Sequence, residues 1–306
     1  MRFVVCGEAL IDLIPTEVVS AAETRWSALA GGGPLNTAVA LGKLGAPTQF
    51  LGRLGNDAFG AQIERHLKQN SVGLDLAIHS QDPTTLAIVS LADDGKAEYT
   101  FHFDNTSSFS WRAEEFPALA EDDWLHIASI GLVVGDVVEP ILRFASTTAA
   151  TISYDINVRP TVLPDRGAYF ERVSALMSAV GRTAGIVKAS DEDINWLVDD
   201  DDPLGYASAW ATEYGLAMFI VTLGADGVVA VKPDGREFRA PGRAVDVVDT
   251  VGAGDTFMAG FLAQYLADPT DIDTALVHGV GASAIVCTRQ GANPPTSAEL
   301  LALLEL

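Results

Sequence analysis

Residues 249–261 read DTVGAGDTFMAGF and set a carboxylate, Asp255, directly after a glycine-rich turn and ahead of an apolar run. Gly252 and Gly254 let the backbone turn sharply and come close to a ligand. The run 257–266 has the composition of a buried helix, so the turn lies at a helix N-terminus, where unpaired N–H groups and the helix dipole favour an anion. An acid among anion-binding amides makes chemical sense if it takes a proton from a hydroxyl beside a phosphate. Alone, the stretch reads equally well as a glycine turn with an aspartate cap.

Other stretches can complete such a site. Gly31-Gly32-Gly33-Pro34-Leu35-Asn36 removes side-chain bulk, sets a proline in a first helical turn and projects an amide that both donates and accepts. That combination suits a polyol held against backbone. Asp12 is expected at the end of the first strand, where doubly wound sheets gather ligands, and a carboxylate accepts several hydroxyl hydrogen bonds. Residues 222–227, TLGADG, end a strand in a hydroxyl and follow it with two glycines whose turn amides can meet a phosphate oxygen. In TISYDINVRP, residues 151–160, Asp155, Asn157 and Arg159 lie just past a buried strand, and Arg159 can neutralise a phosphate or bind a substrate oxygen. Each loop alone is also an ordinary turn or a surface ion pair.

The elements that must position these residues alternate. Strand patterns at 3–6, 48–51, 124–128, 151–155, 185–188 and 218–222 are separated by helical patterns at 35–44, 58–69, 137–149, 167–180 and 191–198. Such alternation implies crossover units and a mostly parallel sheet covered by helices on both faces. Residues 227–231 and 236–240 flank Pro233-Asp234-Gly235 and read as a hairpin at one sheet edge. Residues 85–91 and 97–103 flank Asp93-Asp94-Gly95, a second hairpin outside the alternation. With 17–30, which lacks a helical period, they suggest a small β element from two insertions, serving either as a cover over a site or as an ordinary extra sheet.

Composition narrows the function. The 306 residues, 48% hydrophobic and 20% charged, suit one α/β domain with a substantial core. A net charge of −22 argues against nucleic acid and anionic membranes, which need a basic face. Cys6 and Cys287 have no metal-type neighbours and fit a reduced, cytoplasmic setting. The start MRFVVCGEALIDLIP meets Glu8 and Asp12 too soon for a signal peptide, and no stretch approaches a membrane span. There is no GxxxxGKS or GxxxxGKT, no GxSxG and no histidine pair at metal-ligand spacing. GVGASA at 279–284 follows a helical pattern and reads as a helix-packing face, not a dinucleotide fingerprint.

Taken together, GGGPLNTAVALGKLG, VTLGADG and DTVGAGDTFMAGF, in that order, resemble the ribokinase-like sugar kinases, the PfkB carbohydrate kinase family. The resemblance runs from GEALIDLIP to TRQGANPP. It implies an α/β fold, a ribokinase-like three-layer α/β/α sandwich with a mostly parallel central sheet, as one domain over 1–306 with a β lid formed by insertions at about 12–30 and 84–108. It implies ATP and Mg2+ as partners of a sugar, with Asp255 as general base and the amides of Gly252, Ala253, Gly254 and Asp255 as the anion hole. Asp12, Gly32, Gly33, Asn36, Asn157 and Arg159 match sugar-side positions. Lys188, Ser190, Thr222, Gly224 and Gly227 match nucleotide-side positions. The family's usual Asn-x-x-Glu pair near the metal-bound phosphate reads here as Ser190 and Asp193, leaving Asp193 to reach Mg2+ through water. Asp249, Val251, Arg289 and Gly291 fall where many relatives bind a monovalent cation such as K+.

Within the family, GEALIDLIP, GGGPLNTA and DINVRP look most like bacterial fructokinases, although FHFDNTSSFSW departs from their usual lid pattern. The alternatives are a 2-keto-3-deoxygluconate kinase, a ribokinase or other pentose or nucleoside kinase, and a non-catalytic sugar- or nucleotide-binding regulator on the same fold. Lids in this family often pair across a homodimer; the alternation of Leu86, Ile88 and Ser90 permits that and equally permits a monomer whose lid buries its apolar face on bound sugar.

Overall fold

Three β-sheets form among the described residues, of nine, four and two strands. The computed structural model describes residues 1–91, 97–128, 134–135 and 137–305. Its strands are β1 (Phe3–Cys6), β2 (Leu10–Ser20), β3 (Glu23–Gly31), β4 (Thr48–Leu51), β5 (Arg53–Gly55), β6 (Val72–Gly73), β7 (Ile78–Ser80), β8 (Thr85–Leu91), β9 (Ala97–His102), β10 (Trp124–Ala128), β11 (Thr151–Asp155), β12 (Ile186–Ser190), β13 (Met218–Thr222), β14 (Val228–Val231) and β15 (Glu237–Ala240). Its helices are α1 (Gly33–Lys43), α2 (Ala58–Gln69), α3 (Val138–Thr147), α4 (Arg166–Arg182), α5 (Asp191–Val198), α6 (Pro203–Glu213), α7 (Ala253–Ala267), α8 (Ile272–Cys287) and α9 (Ser297–Leu304).

The large sheet has nine strands among the described residues, in the order β15-β14-β13-β12-β11-β10-β1-β4-β6. From β13 to β6 every pair is parallel, and β14 and β15 turn antiparallel at one edge. Both faces are covered, which is why these strands are nearly all apolar. On one face Val4, Cys6, Ile152, Tyr154, Val187 and Val221 meet α3 to α6. On the other Phe3, Val5, Ile186 and Ile220 meet α1, α2, α7 and α8. Helices α7 and α8 pack closely on each other, where a Cβ on Gly279 would lie 2.6 Å from the Phe257 ring. GVGASA is therefore a packing face, as its helical setting predicts.

The small sheet has the order β3-β2-β8-β9, with β2 and β8 parallel and the other pairs antiparallel. One expectation changes here. Asp12 does not end the first strand; the chain leaves the large sheet after Cys6, and Asp12 lies inside β2. Apolar residues resume at Ala9 straight after Gly7 and Glu8, so periodicity alone does not reveal that the chain changes sheets there. The Asp93-Asp94-Gly95 turn lies outside the described residues.

Two polar clasps anchor the base of this sheet. Asp57 caps α2 through the Gly60 N–H and also accepts from the Thr84 N–H and hydroxyl at 2.8 and 2.7 Å. Buried Ser108 accepts from the Ala9 N–H at 3.1 Å and donates to the Ala9 carbonyl at 2.7 Å.

Candidate active site

The ladder between β11 and β12 sets Asp155 opposite Lys188, and that between β12 and β13 sets Ser190 opposite Thr222. Parallel strands thus bring their carboxyl ends to one rim, which the N-termini of α1, α5 and α7 also reach. Asp255 sits in the first turn of α7, 7% exposed. Its carboxylate accepts from the Asn36 side-chain amide at 2.9 Å, which joins the two glycine loops across 219 residues. Burial, then the nearby charge of Asp155, push its pKa up to about 6, against the opposing pull of Asn36, Lys188 and Arg159. A carboxylate that ionises near neutrality is a suitable proton acceptor.

The two glycines of the turn do different jobs. Gly252 caps α7 with φ 76, a left-handed conformation that favours glycine. Gly254 is already helical, and its bare Cα makes room for a charge. A Cβ there would lie 2.8 Å from the Lys188 ammonium and 3.9 Å from Asp155. Lys188 is 4% exposed and donates to both Asp155 oxygens, at 3.1 and 3.0 Å. Burial alone would lower its proton affinity, but Asp155, Asp193 and Asp255 together raise it, so the ammonium stays charged.

The expected anion hole loses one donor. The Ala253 N–H is spent on the Thr250 carbonyl at 3.2 Å, while the Thr256 N–H already bonds Gly252 within the helix. The N–H groups of Gly254 and Asp255 have no described acceptor and face the N-terminal end of α7. Sequence could not separate these donors, because the difference lies in the closing of a single turn.

Asp12 lies half-buried on β2 without a described hydrogen-bond or ion-pair partner, its carboxylate against the position a Cβ would take on Gly31. Burial pushes its pKa up to about 6. A half-buried acid with no described partner has lone pairs that a ligand's hydroxyls can fill. Gly32 and Gly33 start α1 beside it, and Asn157, at φ 44, turns the loop that carries Arg159. The Arg159 guanidinium donates to its own neighbour's carbonyl at 2.9 Å and has no described acidic partner.

Ser190 and Asp193 form the capping box of α5, with Ser190 accepting from the Asp193 N–H and Asp193 from the Ser190 N–H, at 3.0 and 2.9 Å. The second Asp193 oxygen accepts from the Val158 N–H at 2.8 Å. Thr222, Gly224 and Gly227 form the next wall, with both glycines left-handed. Asp249 accepts from the Val251 and Gly291 N–H groups at 3.0 and 2.8 Å and so ties two segments together. The Arg289 side chain turns away, to the Asn293 and Pro294 carbonyls and Glu299, so only its backbone faces that junction.

One residue escaped the sequence reading. Register sets Asp12 opposite Ala87, Ala87 opposite Phe101 and Val89 opposite Tyr99, so Tyr99 shares the face of Asp12. Its ring stacks on Phe101 with centroids 6.1 Å apart. Burial and the charges of Asp12 and Asp249 raise its hydroxyl pKa, against Arg159. The alternation of Tyr99 and Phe101 was the available signal.

Moving a phosphoryl group onto an alcohol is chemistry that this three-layer architecture and this pairing of acid and amides can perform, and known proteins bear on it directly. The model of the pfkB family carbohydrate kinases matches residues 2–299. A fructokinase of Rhizobium leguminosarum bv. trifolii is 34% identical over 267 residues, 86% of this chain and 79% of that protein. A fructokinase of Vibrio alginolyticus is 32% identical over 310 residues, covering 97% of each. The chain belongs to the pfkB family of carbohydrate kinases. The crystal structure of Vibrio cholerae O395 fructokinase with fructose, ADP and calcium matches with TM-score 0.84 at 27% identity, covering 99% of this chain and 98% of that one. A double mutant of that enzyme, crystallised with fructose, ADP and potassium, matches over the same shares with TM-score 0.83 at 26% identity. Aminoimidazole riboside kinase of Salmonella enterica, at 23% identity and TM-score 0.86 over 99% of this chain and all of that one, shares the fold. No helix among the described residues is long and apolar enough to cross a membrane.

Proposed function

We propose that this protein transfers the γ-phosphoryl of ATP to fructose, giving fructose 6-phosphate and ADP. The observation that carries the reading is the buried Asp255 beside unpaired amides, within one hydrogen bond of Asn36. Asp255 takes the proton of the attacking hydroxyl as its oxygen bonds to phosphorus. The bond from phosphorus to the bridging oxygen breaks, and its electron pair leaves on ADP. General-base assistance of this kind is worth about 10²–10⁴ in rate. The Gly254 and Asp255 amides, the α7 dipole and Lys188 stabilise the charge on the transferred group.

Asp12, with Gly32, Gly33 and Asn36, holds the sugar hydroxyls, and Asn157 and Arg159 close its other side. The small sheet serves as the lid. Ser190, Thr222, Gly224 and Gly227 border the nucleotide. Magnesium would enter with the ATP phosphates and supply positive charge to their oxygens. Among the described residues no three metal-binding side chains cluster, and both Asp193 oxygens hold backbone N–H groups. Their remaining lone pairs fit a metal-bound water and not a direct ligand. Potassium, held by backbone carbonyls near Asp249, Val251, Arg289 and Gly291, belongs to the same reading. So does a homodimer through the lid, supported by Val18 at 76% and Trp26 at 47% exposure on its outer hairpin.

Arg159, which has no acidic partner among the described residues, and the position of Tyr99 favour a second reading, an anionic sugar acid such as 2-keto-3-deoxygluconate. Coupled ADP release over a panel of fructose, ribose, an aminoimidazole or purine nucleoside and 2-keto-3-deoxygluconate separates these. The highest kcat/KM belongs to fructose on the main reading and to the acid on the second. Binding without turnover above ATPase background would instead make the protein a sensor.

A further inference from the structure

The site contains one buried cation and three carboxylates that act on it, Asp155, Asp193 and Asp255. Asp193 is engaged by two backbone N–H groups. The ammonium therefore has two carboxylates free to pair with, Asp155 on the neighbouring strand and Asp255 at the foot of α7. It takes Asp155, which is 1% exposed and grips it with both oxygens at 3.0 and 3.1 Å. Resting on the phosphoryl-transfer reading above, we propose that Asp155 is a positioning residue: its two-point hold keeps the Lys188 ammonium against Gly254, in line with the charge that develops on the phosphoryl, and away from the carboxylate of Asp255.

The physical reason is competition for a desolvated charge. A buried ammonium without a counter-ion is strongly unfavourable and moves to the nearest carboxylate. Were Asp155 absent, Lys188 would pair with Asp255, occupy the lone pairs that must face the sugar hydroxyl, and weaken it as a base. Asp155 also acts on Asp255 directly, since two like charges in a buried site oppose each other's ionisation. The charged and hydrogen-bonding groups acting on Asp255 are Asp155 on β11, Lys188 on β12, Arg159 on the loop after β11 and Asn36 on α1. Removing Asp155 subtracts the neighbouring charge that raises Asp255 and strengthens one that lowers it, so both changes run in one direction.

The test is the pH profile of kcat/KM for fructose, with thermal melts, for wild type, Asp155→Asn and the double variant Asp155→Asn/Lys188→Gln. In Asp155→Asn the acid limb moves down by about one pH unit, and kcat falls about 10²-fold while fructose KM changes less than threefold. In the double variant the limb returns toward wild type, because no ammonium is left to capture Asp255, and kcat stays low. An acid limb of Asp155→Asn that coincides with wild type overturns the proposal, and so does a limb that stays down in the double variant. Should Asp155→Asn fail to fold, Asp155→Glu carries the test: it keeps the charge but displaces the ammonium, so kcat falls with the limb unmoved, and an unchanged kcat is the overturning result. A wild type inactive on every sugar sinks the fructose reading alone. Titration of the Asp255 carboxyl by 13C NMR needs no substrate and then decides: a midpoint lowered in Asp155→Asn and brought back toward wild type in the double variant supports the proposal, and one that is unchanged in Asp155→Asn or stays down in the double variant refutes it.

Discussion

Replacing Gly254 by alanine tests the close contact on which the anion site is built. The added Cβ would start 2.8 Å from the Lys188 ammonium, against a comfortable separation of about 3.5–4.0 Å. The nitrogen must therefore retreat by about 1 Å, which stretches or breaks at least one of its two bonds to Asp155. A hydrogen bond between charged groups is worth about 1.5–3 kcal/mol. Alanine returns about 1 kcal/mol through its better helix propensity, so the net destabilisation is about 1 kcal/mol, or roughly 2–4 °C in Tm. Catalysis should suffer more than stability, with kcat down about 10²-fold and fructose KM within threefold. Gly252→Ala is the control. Its φ of 76 adds about 1–2 kcal/mol of backbone strain, and its Cβ meets that of Ala292 at 2.7 Å, so Tm drops further. Differential scanning calorimetry and steady-state ADP release measure both. A Gly254→Ala enzyme with wild-type kcat would refute the idea that the ammonium must stand at that spot.

Asp255→Asn should lower kcat by about 10²–10⁴ with little change in fructose KM, and equal loss in both constants would argue against a base. The acid limb of kcat/KM should fall near pH 6, with activity rising as Asp255 ionises; Asn36→Ala, which removes a donor to the ionised carboxylate, should move that limb up. Asp12→Asn should weaken fructose binding and at the same time raise the Tm of the sugar-free protein at pH 7.5. The sign follows from the raised pKa: a folded-state value of about 6 against 3.8 means that stability is full below pH 4 and lost as pH climbs through 6. The two melting curves should therefore converge at pH 4, and a gap that persists there would count against burial as the cause. Exchange of potassium for a large organic cation should reduce turnover, and undiminished activity would remove the cation from the mechanism.

What could be read in advance was whatever depends on one stretch of chain. The triple glycine with Asn36, and Asp255 after its turn, declare themselves by residue type, and the alternation of strands and helices carries the layered sheet with it. What depends on register does not appear in one dimension. The grip of Asp155 on Lys188 exists because β11 and β12 pair in one alignment, and a slip of one residue would turn Lys188 to the opposite face. Asp12 misleads because only Gly7 to Ala9 separate a strand of one sheet from a strand of another. Ser190 and Asp193 match a nucleotide motif while also satisfying the end of a helix, and no spacing rule says which demand is primary. Tyr99 becomes visible only when β9 is laid against β8 and β2.

On the proposed reading, the carboxylate that meets the sugar, Asp12, rides on the small sheet, and the one that activates it, Asp255, rides on a helix of the core. Fructose would satisfy both only when the two sheets are correctly inclined, so the apparent dissociation constant is the intrinsic dissociation constant divided by the fraction of molecules so inclined. The clasps at the base, Asp57 with Thr84 and Ser108 with Ala9, involve none of the residues assigned to the sugar, yet they tie down the strands whose inclination that fraction describes. On that reading, a sequence change at those clasps alters affinity while the residues assigned to the sugar stay the same.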